Sequence, residues 1–326
     1  MLNIRLWIVY TLAIDVIQNR SDTSAMDRFT RHPLPDTLRI AIVGLGLLGG
    51  SVAQGLRASG FSGRIAGHDL QDATLQAALS AGVIDEGAGD PRQLFMDFDL
   101  VVLCQPVDAL LQFLARHRDG LAAGSATVLD VASVKAPVAA AIAGTPAEQR
   151  MVPCHPIAGR ERSGWPAATA ELFHGRLCVL TPADGIAPHR LALAETLWSA
   201  LGARTTRMAA EQHDRMLSAT SHLPQLLSYA FLHSLAARGG AEHWLPYCGT
   251  GFRSFSRLGG SDPALWSDIA LHNAPAILQE IDHFSASLAL LRSSLAQGRS
   301  ADLTEAFAQA RSFHDRVGLQ QPATAA

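Results

Sequence analysis

The chain has 326 residues, 48% of them hydrophobic and 17% charged, with a formal net charge of −3. This composition excludes a disordered chain, and the length allows two domains with full cores. No run of basic residues is present, which argues against nucleic acid or an anionic membrane as partner.

The N-terminal stretch MLNIRLWIVYTLAIDVIQNR is apolar but interrupted by Arg5 and Asp15. It is too short and too charged to span a bilayer, and no small-residue cleavage site marks a signal peptide. Met26 stands just ahead of the polar stretch DRFTRHPLPDT. Residues 1–37 therefore read as an extension outside the core, with 1–25 as a start-site extension.

From residue 38 the pattern is LRIAIVGLGLLGGSVAQGLRASG: a β-branched apolar run, a glycine turn, then a helical stretch. Gly44, Gly46 and Gly49 fit GxGxxG. The first glycine permits the tight turn, the second lets backbone approach a pyrophosphate, and the third lets helix pack on strand. Leu45, Leu47 and Leu48 complete the turn around the dinucleotide. A second strand, RIAGHD, ends at Asp69, 20 residues beyond Gly49. A carboxylate there accepts hydrogen bonds from a ribose and repels a 2′-phosphate, so NAD is expected over NADP.

The α/β rhythm continues through FDLVVLCQPVDAL (98–110) and ATVLDVASVK (126–135), both read as buried parallel strands. Pro106 is placed to open a helix. The shorter runs MVPCHP and RLCVLTP are expected to complete the sheet. Ligands of open α/β sheets bind at the carboxyl ends of the strands. That rule puts Gln105, Pro106, Ser133, Lys135 and His155 on one rim, with Gln105, Pro106 and Ser133 beside the cofactor.

From about residue 187 strands are expected to cease, and the remaining segments carry helical periodicity with more apolar positions than solvated helices need. A homodimer through those helices is expected. The fold class is an α/β Rossmann-type dinucleotide-binding domain over 38–184, then an all-α dimerisation domain over 185–320 and a flexible tail at 321–326. The cysteines, at 104, 154, 178 and 248, form no metal spacing and read as reduced thiols of a cytoplasmic protein. No metal is expected. Lys135 is the only lysine in the chain.

Five motifs then stand in order: GLGLLGGS, DVASVK, HPIAGRERSG, EQHDRMLSATSHLPQ and GFRSFSRLGGSDPALWSDI. Together they resemble the prephenate/arogenate (cyclohexadienyl) dehydrogenase family of tyrosine biosynthesis, over residues 38 to 318. The resemblance implies NAD-dependent oxidative decarboxylation of prephenate, arogenate or both. Hydride leaves the hydroxyl-bearing carbon for the nicotinamide, the ring carboxylate departs as carbon dioxide, and aromatisation drives the step. No mutase-like segment is expected before residue 38, and no regulatory domain after 320.

The resemblance also assigns residues. His155, in HPIAG, matches the catalytic histidine that hydrogen-bonds the substrate hydroxyl. Ser133, in DVASVK, matches a serine that contacts that hydroxyl and the nicotinamide. Lys135 takes a structural and electrostatic role near the cofactor and substrate anions. Arg257 matches the arginine that binds the side-chain carboxylate, for which a bidentate fork is suited. Glu161 and His213 belong to an ionic network that is incomplete here, because Ser254 stands where relatives have Asp. Trp266 matches a tryptophan contributed across the dimer. Ser221 and Gln225, in SHLPQ, are placed on the substrate. A neutral Gln225 where prephenate-selective relatives carry His leans the reading toward arogenate. β-Hydroxyacid and imine reductases share the two-domain plan but do not explain HPIAGRERSG or SDPALWSDI. A non-catalytic NAD-sensing module would lack a proton-transfer group such as His155.

Overall fold

The computed structural model describes residues 34–318, Glu161 excepted. The start-site extension at 1–25, Glu161 and the tail at 321–326 lie outside the described residues. The first domain alternates strand and helix. It runs β1 (Ile40–Val43), α1 (Leu47–Ala58), β2 (Ile65–His68), α2 (Asp72–Ser80), β3 (Glu86–Gly87), α3 (Pro91–Asp97) and β4 (Leu100–Leu103). It continues α4 (Val107–Arg116), α5 (Arg118–Ala123), β5 (Thr127–Asp130), α6 (Ala136–Ile142) and β6 (Met151–Val152).

These strands form one parallel sheet in the order β3-β2-β1-β4-β5-β6. Strands β1, β4 and β5 are buried along their whole length, as their apolar runs require of central parallel strands. Strand order reverses between β1 and β4, which opens a ligand crevice at their carboxyl ends.

Two expectations about the sheet are corrected. Only Met151–Val152 of MVPCHP joins it. Pro153 has no N–H to continue the ladder, and the chain turns away into β7 (Cys154–Pro156). This strand pairs antiparallel with β8 (Leu177–Leu180), so RLCVLTP belongs to a second sheet. Nor do strands cease near residue 187. After α7 (Pro188–Ala200) comes β9 (Arg204–Arg207), parallel to β8. Its sequence, RTTR, has no apolar residue to announce a strand. Ala194, Leu197 and Trp198 of α7 are fully buried in the first core, and the Trp198 ring meets Phe173 edge-on at 5.3 Å. Helix α7 and β9 thus pack with the first domain, against the expectation that the helical domain opens at 185.

The extension also needs correction at its end. Leu34, placed outside the core by the sequence reading, is 5% exposed and packs in the same cluster. It is an apolar residue tied down by the Leu38 N–H bond to Pro35 O and by Asp36 accepting from Ser62 N.

The helical region comprises α8 (Ala210–Leu217), a π-helical turn (Ser218–His222), α9 (Leu223–Ala236), α10 (Thr250–Ser256), α11 (Pro263–His272), α12 (Ala274–Ala296) and α13 (Ser300–Arg316). The π turn joins α8 to α9 without a break; such insertions concentrate at functional sites. Helix α12 buries only Ile277 and Ser294, while its Leu290 and Leu295 are 71% and 67% exposed. Phe307 and Phe313 of α13 are likewise exposed. This is the apolar excess expected of the segment.

The glycines separate into two kinds. Gly44 adopts φ +87°, and a Cβ there would lie 2.9 Å from Cys104 O. A Cβ on Gly49 would lie 1.8 Å from Gly44 O, so α1 packs on the turn only without a side chain. A Cβ on Gly46 would meet nothing within 4 Å. The protein itself demands Gly44 and Gly49; the space before Gly46 is left for a ligand. Gly49→Ala is expected to destabilise by at least ~2 kcal/mol, seen as a lower melting temperature. Gly46→Ala should leave melting unchanged and weaken dinucleotide binding about tenfold, or ~1.4 kcal/mol, by titration.

Candidate active site

The cofactor cradle is built by the turn between β1 and α1. No side chain caps the N-terminus of α1, so its first N–H groups are available to an anion. Leu45 is fully buried, and its N–H donates to Asp69 Oδ2 at 2.8 Å. Leu47 and Leu48 are half-buried, with their side chains packed against the core. Asp69 also accepts from Gln71 N at 2.8 Å. Its carboxylate thus braces the glycine turn from the end of β2. Beside Gly44, Gln105 Oε1 is buried with no partner among the described residues. A buried acceptor without a donor, next to an open turn, fits a dinucleotide hydroxyl or amide. Pro106 is exposed and begins α4, as expected.

The next rim element is the end of β5. Asp130 is fully buried and accepts from Ala132 N at 2.9 Å and Cys154 N at 3.3 Å. Its third partner is the ammonium of Lys135, which also donates to Cys154 O at 2.7 Å. Lys135 is 0% exposed. A structural and electrostatic role was expected of the lone lysine. It is an internal strut that ties the end of β5 to the start of β7, one residue before His155. Ser133 sits half-buried on the loop between Asp130 and Lys135.

His155 is 9% exposed. Its Nδ1 lies 2.8 Å from Nε2 of His213, with the rings 5.0 Å apart and inclined at 66°. His213 is fully buried, and its Nδ1 lies 2.7 Å from Asp214 Oδ1. His213 therefore stands behind His155. Asp214 also accepts from the backbone N–H groups of Lys135 and Ala136, each at 2.8 Å, at the start of α6. Behind it, Asn273 Nδ2 donates to Asp214 O at 2.9 Å and lies 3.0 Å from His222 Nδ1. Burial, then the fields of His213, Lys135 and His222, hold the His155 pKa well below its ordinary 6.5. Burial likewise pushes His222 down to about 4.

The remaining predicted residues flank this chain. Ser221 is half-buried in the π turn. Trp266 packs within its own chain, its ring 6.1 Å from that of His222 and against the core around β4 and β5. Arg257 is exposed where α10 ends in a 3-10 turn, Arg257–Gly260. Gln225 is 2% exposed, and its Nε2 donates to Leu258 O at 2.6 Å. The amide thus holds the backbone of the Arg257 turn.

Four buried groups escaped the sequence reading: Asp130, Asp214, His222 and Asn273. Asp130 carried a signal, since a carboxylate in an apolar strand five residues before a lysine demands a partner. The others depend on helix packing and left none.

The family model of the prephenate dehydrogenase nucleotide-binding domain matches residues 52–207, and that of the prephenate dehydrogenase dimerization domain matches residues 209–309. The chain is 32% identical to cyclohexadienyl dehydrogenase of Zymomonas mobilis over 274 residues, covering 83% of this chain and 93% of that protein. It is 30% identical to prephenate dehydrogenase of Bacillus subtilis, covering 89% and 78%. The crystal structure of Aquifex aeolicus prephenate dehydrogenase with hydroxyphenyl propionate and NAD+ superposes with a TM-score of 0.77 at 32% identity, covering 86% and 98%. Synechocystis arogenate dehydrogenase gives 0.70 at 29% identity, covering 86% and 100%. With a parallel β3-β2-β1-β4-β5-β6 sheet, a glycine cradle and these relatives, the chain belongs to the prephenate dehydrogenase family.

Proposed function

We propose that the chain oxidises and decarboxylates a cyclohexadienyl substrate, prephenate or arogenate, with His155 as the base that takes the ring hydroxyl proton. The observation that carries this reading is a buried imidazole on β7, next to the Cys154 backbone that Asp130 and Lys135 tie to the carboxyl end of β5, and held neutral by its surroundings. A neutral imidazole has a lone pair for the hydroxyl proton, and such transfer contributes ~10²–10⁴-fold in rate. NAD, when bound, supplies the hydride acceptor. The turn from Gly44 to Gly49, Asp69 and Gln105 hold it. Ser133, on the loop beside His155, orients the hydroxyl. The guanidinium of Arg257 takes the side-chain carboxylate, and Gln225 keeps its turn in place through Leu258 O.

Three finer readings accompany this. The exposed leucines and phenylalanines of α12 and α13 are covered by a second copy of the chain, which the match to a dimerization domain supports. Among the described residues no helix is long and apolar enough to cross a membrane. All four cysteines are unpaired, which supports a cytoplasmic setting. Asp69 should make NAD the preferred cofactor, because a 2′-phosphate would meet its carboxylate; equal kcat/KM with NADP would overturn that assignment.

The deciding assay is NADH formation with prephenate, arogenate and a simple hydroxy acid. Activity is expected with one or both of the first two and not with the third. His155→Asn should lower kcat by ~10²-fold or more with KM little changed. A loss confined to KM would make His155 a binding residue.

The acid limb of the pH profile tests the same group. His155 faces His213 from α8, His222 from the π turn and Lys135 from the β5–α6 loop, with Asp214 and Asp130 behind them. The base works only when unprotonated, and its pKa is depressed. kcat/KM should therefore stay level as pH falls through 6.5 and drop only well below it. An acid limb centred at or above 6.5 would show that the working base is another group.

A further inference from the structure

We propose that Asp214 is a positioning residue for the proton transfer: through His213 it fixes His155 as the Nδ1–H tautomer and leaves Nε2 as the accepting atom. This deepens the reading of His155 as the base and rests on it. The geometry is a line of two hydrogen bonds, Asp214 Oδ1 to His213 Nδ1 at 2.7 Å and His213 Nε2 to His155 Nδ1 at 2.8 Å.

The proton positions follow from chemistry. An ionised carboxylate only accepts, so the proton of the first bond lies on His213 Nδ1. Both Asp214 oxygens also accept backbone N–H groups, Oδ1 from Lys135 and Oδ2 from Ala136, so the carboxylate is an acceptor on every side. A neutral His213 then has its lone pair on Nε2. The second bond can form only if His155 Nδ1 carries the hydrogen. With Nδ1 occupied, Nε2 of His155 is the one basic atom left for the substrate. It takes the hydroxyl proton while hydride leaves the carbon and the ring carboxylate departs. The electron pair of the broken carbon–carbon bond enters the ring, and the proton returns to the phenol oxygen. The second proton that His155 briefly holds is stabilised along the same line by the Asp214 charge.

The arrangement repeats the logic by which a carboxylate sets a histidine tautomer in serine hydrolases, with one imidazole inserted between them. No such role attaches to Asp214 from its sequence position. His213 changes from a substrate-network residue to the relay between Asp214 and the base.

The test is a double-mutant cycle on NADH formation. Asp214→Asn presents an amide N–H to His213 and reverses the tautomer along the line, so kcat should fall ~10²-fold or more. KM for substrate and NAD should change less than about threefold. His213→Gln keeps a carbonyl that accepts from His155 Nδ1, so it should retain more activity than His213→Leu by about tenfold or more. In the His213→Gln background, Asp214→Asn should cost less than about threefold, because the relay is already cut. If the double variant loses as much again as Asp214→Asn alone, Asp214 acts only by seating α6, and the proposal falls. Ring 15N NMR of the parent reads the tautomer without turnover: protonated Nδ1 and bare Nε2 on His155 are expected. The opposite tautomer overturns the proposal even if NADH formation upholds His155 as the base. If the parent forms no NADH with prephenate or arogenate, the substrate reading fails, and NMR still judges the relay.

Discussion

The carboxylate of Asp214 joins the two halves of the molecule. It arises on α8, the first helix of the helical region, yet it caps two backbone N–H groups at the start of α6 in the dinucleotide domain. A 4% exposed carboxylate without donors would be strongly destabilising, so the helical region has one seat in which this group is satisfied. In that seat the same Oδ1 atom also receives His213 Nδ1. Docking the domains and aiming the histidine pair are one event. The π turn that follows brings His222 against Asn273, and Asn273 closes on the backbone of Asp214. The site lies at the joint because its groups are the ones that make the joint.

A second buried charge does comparable work from the other side. Taking Lys135 and Asp130 out of water costs several kcal/mol per ion, which only excellent geometry offsets. Here the ammonium has Asp130 and Cys154 O, while Asp130 has two backbone donors besides. An arginine would bring five N–H groups in a planar fork to a pocket with two acceptors. That mismatch accounts for a lysine here in a chain that otherwise uses arginine throughout. The strut fixes the carbonyl immediately before His155. One pair holds the backbone beside His155 and the other holds its ring.

How much of this was legible in the sequence depends on the range of the interaction. The glycine turn was readable because turn geometry and helix packing at Gly44 and Gly49 act over five residues. The parallel strands were readable because burial on both faces leaves a run of apolar letters. Strand β9 was not: RTTR lies at the edge of a small sheet and needs no apolar residue. The departure of β7 from the main sheet turned on Pro153, a missing donor that looks like any other proline until the ladder is drawn. Motif residues His155, Ser133 and Arg257 were proposed by resemblance, which says nothing of their order in space. Asp214 bonds Lys135 across 79 residues of chain, and Asp214 next to His213 on a helix reads as an ordinary surface pair. Gln225 was placed on the substrate by resemblance; its bond to Leu258 O, 33 residues away, is a bracing contact that the letters gave no sign of.

On the proposed role of His155 as the base, its electrostatics impose a condition on the chemistry. Burial and the neighbouring His213, Lys135 and His222 keep the imidazole neutral, which ensures that the lone pair is present at neutral pH. The same surroundings make it a weak base, and a weak base is a poor driver of proton transfer on its own. The driving force must come from the substrate. Loss of carbon dioxide and aromatisation supply it, and the proton is held only for the duration of the step. The protein's part is to make that brief imidazolium tolerable. The charge needed for this stands two hydrogen bonds away on Asp214, far enough not to raise the resting pKa of His155 above its ordinary range. It is near enough, through two buried hydrogen bonds, to act on charge as it develops. A carboxylate in direct contact would make a stronger resting base and spend that stabilisation before the reaction began. Setting it back by one imidazole reserves the interaction for the transition state, where it changes the rate.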